Sequence, residues 1–490
     1  MSDLDDQIKN LSPARRALLR QRLTERKVDA LPGLPRRQAG DPRVLSYAQQ
    51  QMWFLDQLAP GPAYNVPYAV SLSGWPDTKA LQKALDAIVG RHEILRTMYL
   101  AYQGKVIPAV AKNWEVEVRQ VDLRGCEAAH DVEGILPLLQ KDSARPFDLV
   151  RDLKLRTTLY RLKEDRAILL HVSHHIAWDL HSRTIFYREL EQFYSGFCRG
   201  EETVLPDLPV QYGDYGLWQR RQLQGEKLEQ LEAYWKQQLS GAPPALELPA
   251  DHLRPALQNL RGARFPFSLS AAILTTATVL SRDHKVTLYM TMLAVYFVFL
   301  HCYSGQEDLS IGSPFDERRH PDTEPLIGMF INTLVLRARL NRDSTFGQLL
   351  SYVRDIVLKA IAHQELPFEK IVDVVQPPRD LSRMPLFQAN FRLQGVKAPQ
   401  LQLAGMEVES CRLIDNATAK FDLALELPSL PESNGYLEYS TNLFRAATVH
   451  RMADDFQSLL SGLLAQPDVP LHRVESVRML RARIGRVTSW

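Results

Sequence analysis

Only four cysteines occur in 490 residues, and Cys126, Cys198, Cys302 and Cys411 stand far apart with no CxxC pair among them. That spacing excludes a short disulfide framework and makes reduced thiols the expectation. Long hydrophobic runs are also missing. No window approaches the ~20 apolar residues of a membrane-spanning helix, and the opening MSDLDDQIKN is too polar for a signal core. A cytoplasmic protein without a membrane partner is the expectation. Charge of one sign is scarce as well: 59 basic residues face 57 acidic ones, a net +2, which removes any bulk electrostatic reason to bind nucleic acid. There is no GxSxG nucleophile elbow, no Gly-rich phosphate loop, no carrier-type GGxS serine, no heptad array and no low-complexity tract.

What is present is a globular composition, 45% hydrophobic and 24% charged, on a chain too long for one ordinary core. Ser12-Pro13 is a helix-start pair, and the spacing predicts a helix over 13–26 with Leu18, Leu19 and Leu23 beside Arg15, Arg16, Arg20, Arg22 and Arg26. LPGLPRRQAGDPR then reads as a linker, so residues 1–43 form an appendage. It is either a solvated helix packed on the body or a basic docking element for an acidic partner. From Leu45 onward, helical patterns such as TKALQKALDAIVGRHEIL alternate with strand-like runs such as AILLHVSHHI and FINTLVLRARL, an α/β or α+β pattern. Two Trp/Tyr-rich helices are expected to flank the Pro-rich LSGAPPALELPADHLRP, which places a boundary between lobes 44–220 and 221–490.

The densest chemistry lies in AILLHVSHHIAWDLHS, residues 167–182, with four histidines and an aspartate. The aliphatic run predicts a buried strand, and DLHSRTIFYREL from Asp179 predicts a helix. Strand alternation would put His171, Ser173 and His175 on one face and His174 on the other. His171 and His175 would then stand roughly 13 Å apart, too far to share a metal at ~2.0 Å bonds. No metal site is expected. The residues alone leave two readings open: a neutral imidazole near Asp179 serving as base or hydrogen-bond acceptor, or core histidines satisfied by backbone groups.

His174-His175-Ile176-Ala177-Trp178-Asp179 resembles the HHxxxD motif of nonribosomal peptide synthetase condensation domains, within the chloramphenicol-acetyltransferase-like superfamily. Further stretches resemble family motifs in the expected order: LSYAQQQMWFL (45–55), RHEILRTMY (91–99), YGDYGLWQ (212–219), IGMFINTLVLR (327–337), HQELPFEKIV (363–372) and RDLSRMPLFQ (379–388). The resemblance covers residues 44–480 and implies two acetyltransferase-like lobes in a V-shaped pseudo-dimer with a central tunnel. It implies a donor acyl thioester on the phosphopantetheine of a carrier protein, an amine or hydroxyl acceptor, and no bound cofactor. His175 would be the catalytic histidine, as base or positioning group, with His174 beside it. Asp179 would be structural, paired with Arg318 of SPFDERRHP. Asn332 and Trp178 would lie near the tunnel, as would Leu180, His181 and Ser182. Gln49, Trp53, Arg91, His92, Arg96, Tyr212 and Trp218 read as architectural.

The family usually has glycine after the aspartate, where this chain has Leu180, which would reshape the channel beside His175. His181 is new there and a candidate acceptor contact. Glu317 replaces a common glycine just before Arg318 and puts that pairing in doubt. Without adenylation or carrier segments, and with Met1 leading into its own helix, a free-standing condensation enzyme acting in peptide or hybrid polyketide assembly, or in chain release, is the expectation. The alternatives are a noncatalytic carrier-binding module, against which His175 and Asp179 argue, and an epimerization domain, for which no second acidic motif follows 312–320.

Overall fold

The computed structural model describes residues 33–394, 401–428 and 434–485. The predicted helix over 13–26, and with it the docking element, lies outside them. From Gly33 on, the segment read as a linker is packed on the body: Leu34 N–H donates to Asp322, Arg36 to the carbonyls of Leu208 and Pro209, and Arg37 to Asp214 and Glu93. These two arginines are spent inside the chain rather than offered to an acidic partner.

Two sheets organise the molecule, one five-stranded and one six-stranded. At the centre of the first runs Arg166–His174, antiparallel to Asn65–Ser73 on one side and Leu155–Lys163 on the other. Its apolar run suits a strand covered on both faces, and every residue after Arg166 is buried. Helix Thr78–Arg91 packs against helix Leu180–Cys198. Asp77 caps the former by accepting from the N–H groups of Lys79 and Ala80, and Ala80, Leu81, Ala84, Leu85, Ile88 and Val89 make its apolar stripe.

The second sheet runs Gly262–Ser268, Asn434–Ser440, Leu423–Leu427, Ala389–Leu393, Asp308–Asp316, Ile331–Arg339. Helix Leu288–Ser304 is apolar on all sides and forms the middle of this half's core, against helices Phe346–Ala362 and Ala446–Ala465. Thr287 caps its start, and Gly305 ends it at φ 73°, a left-handed conformation that favours glycine. Among the described residues no single helix is long and apolar enough to cross a membrane.

A division at 220 misses two returns of the chain. Leu326, Ile327, Met329 and Phe330, and again Leu401, Leu403 and Ile414, pack in the first hydrophobic cluster. Strand Glu407–Leu413 joins the first sheet, antiparallel to Asn65–Ser73. A sheet edge exposes a row of unpaired N–H and C=O groups, and a strand from the other half covers this one. The Trp/Tyr-rich helices Tyr212–Gln222 and Gly225–Leu239 also follow one another directly, and both precede the Pro-rich segment instead of flanking it.

Candidate active site

The central strand stops at His174, and His175 opens a short 3₁₀ turn, His175–Ala177. The expected alternation therefore ends one residue early, and His175 does not share a strand face with His171. His171 is wholly buried, its Nε2 2.6 Å from the Tyr187 hydroxyl, a core histidine. His174 is a cap: its Nδ1 accepts from Ile176 N–H at 3.2 Å, and its ring packs edge-on against Phe147. Expected at the reaction centre, His174 is instead enclosed away from the cavity.

His175 alone of the three lines a cavity of about 1940 Å³ bounded by residues of both halves. Its Nδ1 lies 3.2 Å from the Met329 sulfur. Burial, then the nearby charge of Lys420, pull the imidazole down to about 3, so it is neutral at physiological pH. Trp178, Leu180 and His181 line the same cavity, and His181 Nε2 sits 3.3 Å from the Glu324 carbonyl.

Asp179 caps helix Leu180–Cys198 and reaches across to the other half of the chain. One carboxylate oxygen accepts from Arg318 at 2.5 Å and from Phe330 N–H at 3.1 Å. The other accepts from Arg318 at 3.0 Å and from Ser182 N–H at 2.8 Å. Burial alone would raise this carboxyl, but the Arg318 charge and the hydrogen bonds from Arg318 and Ser182 outweigh it and hold the group below its usual value. The bidentate pairing with Arg318 stands despite Glu317, which turns away to accept from Tyr215 and Gln219. By holding Phe330 N–H, Asp179 fixes the segment that presses Met329 onto His175. Tyr212 holds the same segment, donating to the Met329 carbonyl at 2.5 Å.

Two expected tunnel residues are placed elsewhere. The single hydroxyl proton of Ser182 has Asp179 at 2.7 Å and the Gly328 carbonyl at 2.9 Å as acceptors, and the same oxygen accepts from Gly328 N–H. It is a buried joint between helix and loop. Asn332 faces away from the cavity: its amide donates to the carbonyls of Gln364 and Leu366 and accepts from Phe368 N–H. Its strand neighbours Ile331 and Thr333 line the cavity, so strand alternation sends Asn332 to the opposite face.

Of the residues read as architectural, Arg91 and His92 both hold Glu189, each at 2.9 Å, and Gln49 donates to the Tyr99 hydroxyl. Sequence reasoning missed Met329, Lys420 and the charged face of the second sheet. The one available signal for the last was the alternation in LALEL, which sets Glu426 apart from its leucines. Among the described residues no group of three or more His, Cys, Asp or Glu side chains is placed to hold a metal ion.

A family model, the condensation domain, matches residues 41–482. A linear gramicidin synthase polypeptide from Brevibacillus parabrevis is 42% identical over 441 residues, covering 88% of this chain and 8% of that protein. The phosphinothricin tripeptide synthetase PhsC from Streptomyces viridochromogenes is 38% identical over 478 residues, covering 95% of this chain and 43% of that one. The chain thus spans under half the length of these relatives. The X-domain from teicoplanin biosynthesis superposes with a TM-score of 0.83 at 25% identity, over 91% of this chain and all of that one. The first condensation domain of the calcium-dependent antibiotic synthetase has the same fold, with a TM-score of 0.75 at 20% identity, over 89% of this chain and 99% of that one. With its mixed helix-and-sheet architecture, its HHxxxD segment at the cavity and a match spanning residues 41–482, the chain belongs to the condensation domain family of nonribosomal peptide synthesis.

Proposed function

We propose that this chain joins an acyl or peptidyl thioester, carried on the phosphopantetheine of a carrier protein, to an amine or hydroxyl acceptor, forming an amide or ester. The observation that carries this reading is a neutral His175 at the wall of a cavity shared by both halves, four residues before the Asp179–Arg318 clamp. The acceptor nitrogen or oxygen attacks the thioester carbonyl and passes its proton toward the imidazole. The carbon–sulfur bond then breaks, and the pantetheine thiolate takes up a proton. Burial holds this imidazole below its ordinary value and makes it a weaker proton store, since a general base works best with a pKa near the operating pH. It serves better as an acceptor that aims the nucleophile's lone pair while the proton moves on to the leaving sulfur. A thioester is already activated, so this chemistry requires no metal, nucleotide or covalent intermediate, and alignment of both reactants supplies much of the rate.

His175→Ala tests it. With an acyl-loaded carrier and a panel of acceptors, intact-protein mass spectrometry should show acyl transfer by the wild type and none by the variant, with fold and carrier binding unchanged. Near-normal turnover by the variant rejects the role of His175. A second reading is favoured by the likeness to the X-domain, which is also known in complex with OxyB: a module that binds partners without condensing substrates. Carrier binding by the wild type without transfer to any acceptor would support that reading instead.

A further inference from the structure

The second sheet turns a charged face toward the cavity, where a sheet more often presents apolar side chains. Register sets Arg264 opposite Glu438 and Arg392 opposite Glu426, and all four line the cavity. Arg264 Nε lies 3.1 Å from Glu438, and Arg392 Nη1 lies 3.5 Å from Glu426. Each cation on this face is therefore answered by an anion. Lys420, just before strand Leu423–Leu427, adds a further cation to the same lining. Among the described residues its ammonium meets no carboxylate within 4.0 Å and makes no hydrogen bond. It lies over the Tyr64 ring, 4.9 Å from the centroid.

The carboxylates of Glu438 and Glu426 favour the charged form of Lys420 from beyond 4.0 Å without touching it, and an enclosed ammonium with no contacting anion is the complement of a negative ligand. We propose that Lys420, backed by the paired charges of the sheet, forms a subsite for a carboxylate on one of the two condensing substrates. The proposal rests on the condensation reading, since the subsite opens into the cavity that holds His175. Burial lowers the Lys420 ammonium to about 8, which leaves it mostly charged at neutral pH. Arg264 and Arg392 already have partners and compete little for the ligand. A neutral amide of the same shape would bring the ammonium no contacting anion.

Calorimetry on the full chain, with each probe given alone, reads this without any turnover. The donor arm compares succinyl with succinamoyl N-acetylcysteamine thioester. The acceptor arm compares the α-amide of glutamate with the α-amide of glutamine. Within each pair the two probes match in shape and differ in one charge. In the arm that supplies the carboxylate, the acidic probe should bind about tenfold tighter or more, the scale of one charge-assisted hydrogen bond. Lys420→Met should erase the preference and Lys420→Arg should keep it. Equal affinities in both arms, or a preference that survives Lys420→Met, overturn the subsite. Should the methionine variant fail to fold, Lys420→Gln serves in its place, with the same loss of preference expected. Because condensation is not needed, failure of the proposed function leaves the preference measurable. Loss of turnover in Lys420→Met, equal for acidic and neutral substrates and without any affinity preference, would place the ammonium on the thioester oxygen and also overturn the carboxylate subsite.

Discussion

Replacing Asp179 with alanine removes the acceptor for two Arg318 donors, for the Ser182 amide and hydroxyl and for Phe330 N–H, all buried. Removing one member of a buried, hydrogen-bonded ion pair typically costs about 3–5 kcal/mol, because the remaining charge stays desolvated. Arg318 is not left wholly alone: Asp316 stands 3.3 Å away on a partly exposed side chain, and the Leu326 carbonyl still accepts from it. That residual support places the expectation at the lower end, about 3 kcal/mol. Chemical denaturation with urea at pH 7 measures it. Adding Arg318→Met to Asp179→Ala should recover part of the loss, because the stranded charge is gone. The folded carboxyl titrates below its unfolded value, so the stabilisation is fully present above about pH 3.9 and is lost as pH falls through the lower folded value. A variant as stable as the wild type but inactive would refute the scaffold role and move Asp179 into the chemistry.

Glu317 carries the opposite sign: burial raises its carboxyl to about 8, so the folded chain keeps a proton that the unfolded chain has lost. Stability should therefore fall as pH rises from about 4.3, the unfolded carboxyl value, to that folded value. Glu317→Gln keeps the shape and cannot ionise, so its stability margin over the wild type should widen from pH 5 to pH 8, read from urea midpoints. Parallel pH profiles for the two proteins would contradict the burial argument. Asn332→Ala should cost about 1–3 kcal/mol by leaving three buried backbone partners unsatisfied. Turnover per folded molecule should be unchanged, and a fall in turnover without a fall in stability would return Asn332 to the cavity wall.

Much of the site was legible in its motif residues. The strand-to-helix change around His175 follows from a strong local pattern, whereas the pairing of Asp179 with Arg318 and the cavity positions of Trp178, Leu180 and His181 were implied by the resemblance to the family. What was misplaced turns on single-residue offsets. Ending the central strand at His174 separates two adjacent histidines into a buried cap and a cavity group, and nothing in HHIAWD marks that stop. Ser182 is a helix-start hydroxyl that happens to meet Gly328 from a distant loop. Asn332 could have been placed by strand alternation with Ile331 and Thr333, once the side facing the cavity was known.

The sequence by itself determined the two-part α/β architecture, because periodic apolar patterns specify which helices and strands form and which faces they bury. It also determined the chemical types available: histidines close to an aspartate, and thiols without a framework. Only the tertiary structure decided that Glu407–Leu413 closes the edge of the other half's sheet, that Met329 rests on His175, and that Lys420 stands in a charged cavity over the Tyr64 ring. Those are contacts between segments up to hundreds of residues apart. No local pattern encodes them, because a side chain's pKa and partners depend on what the folded chain brings to its side.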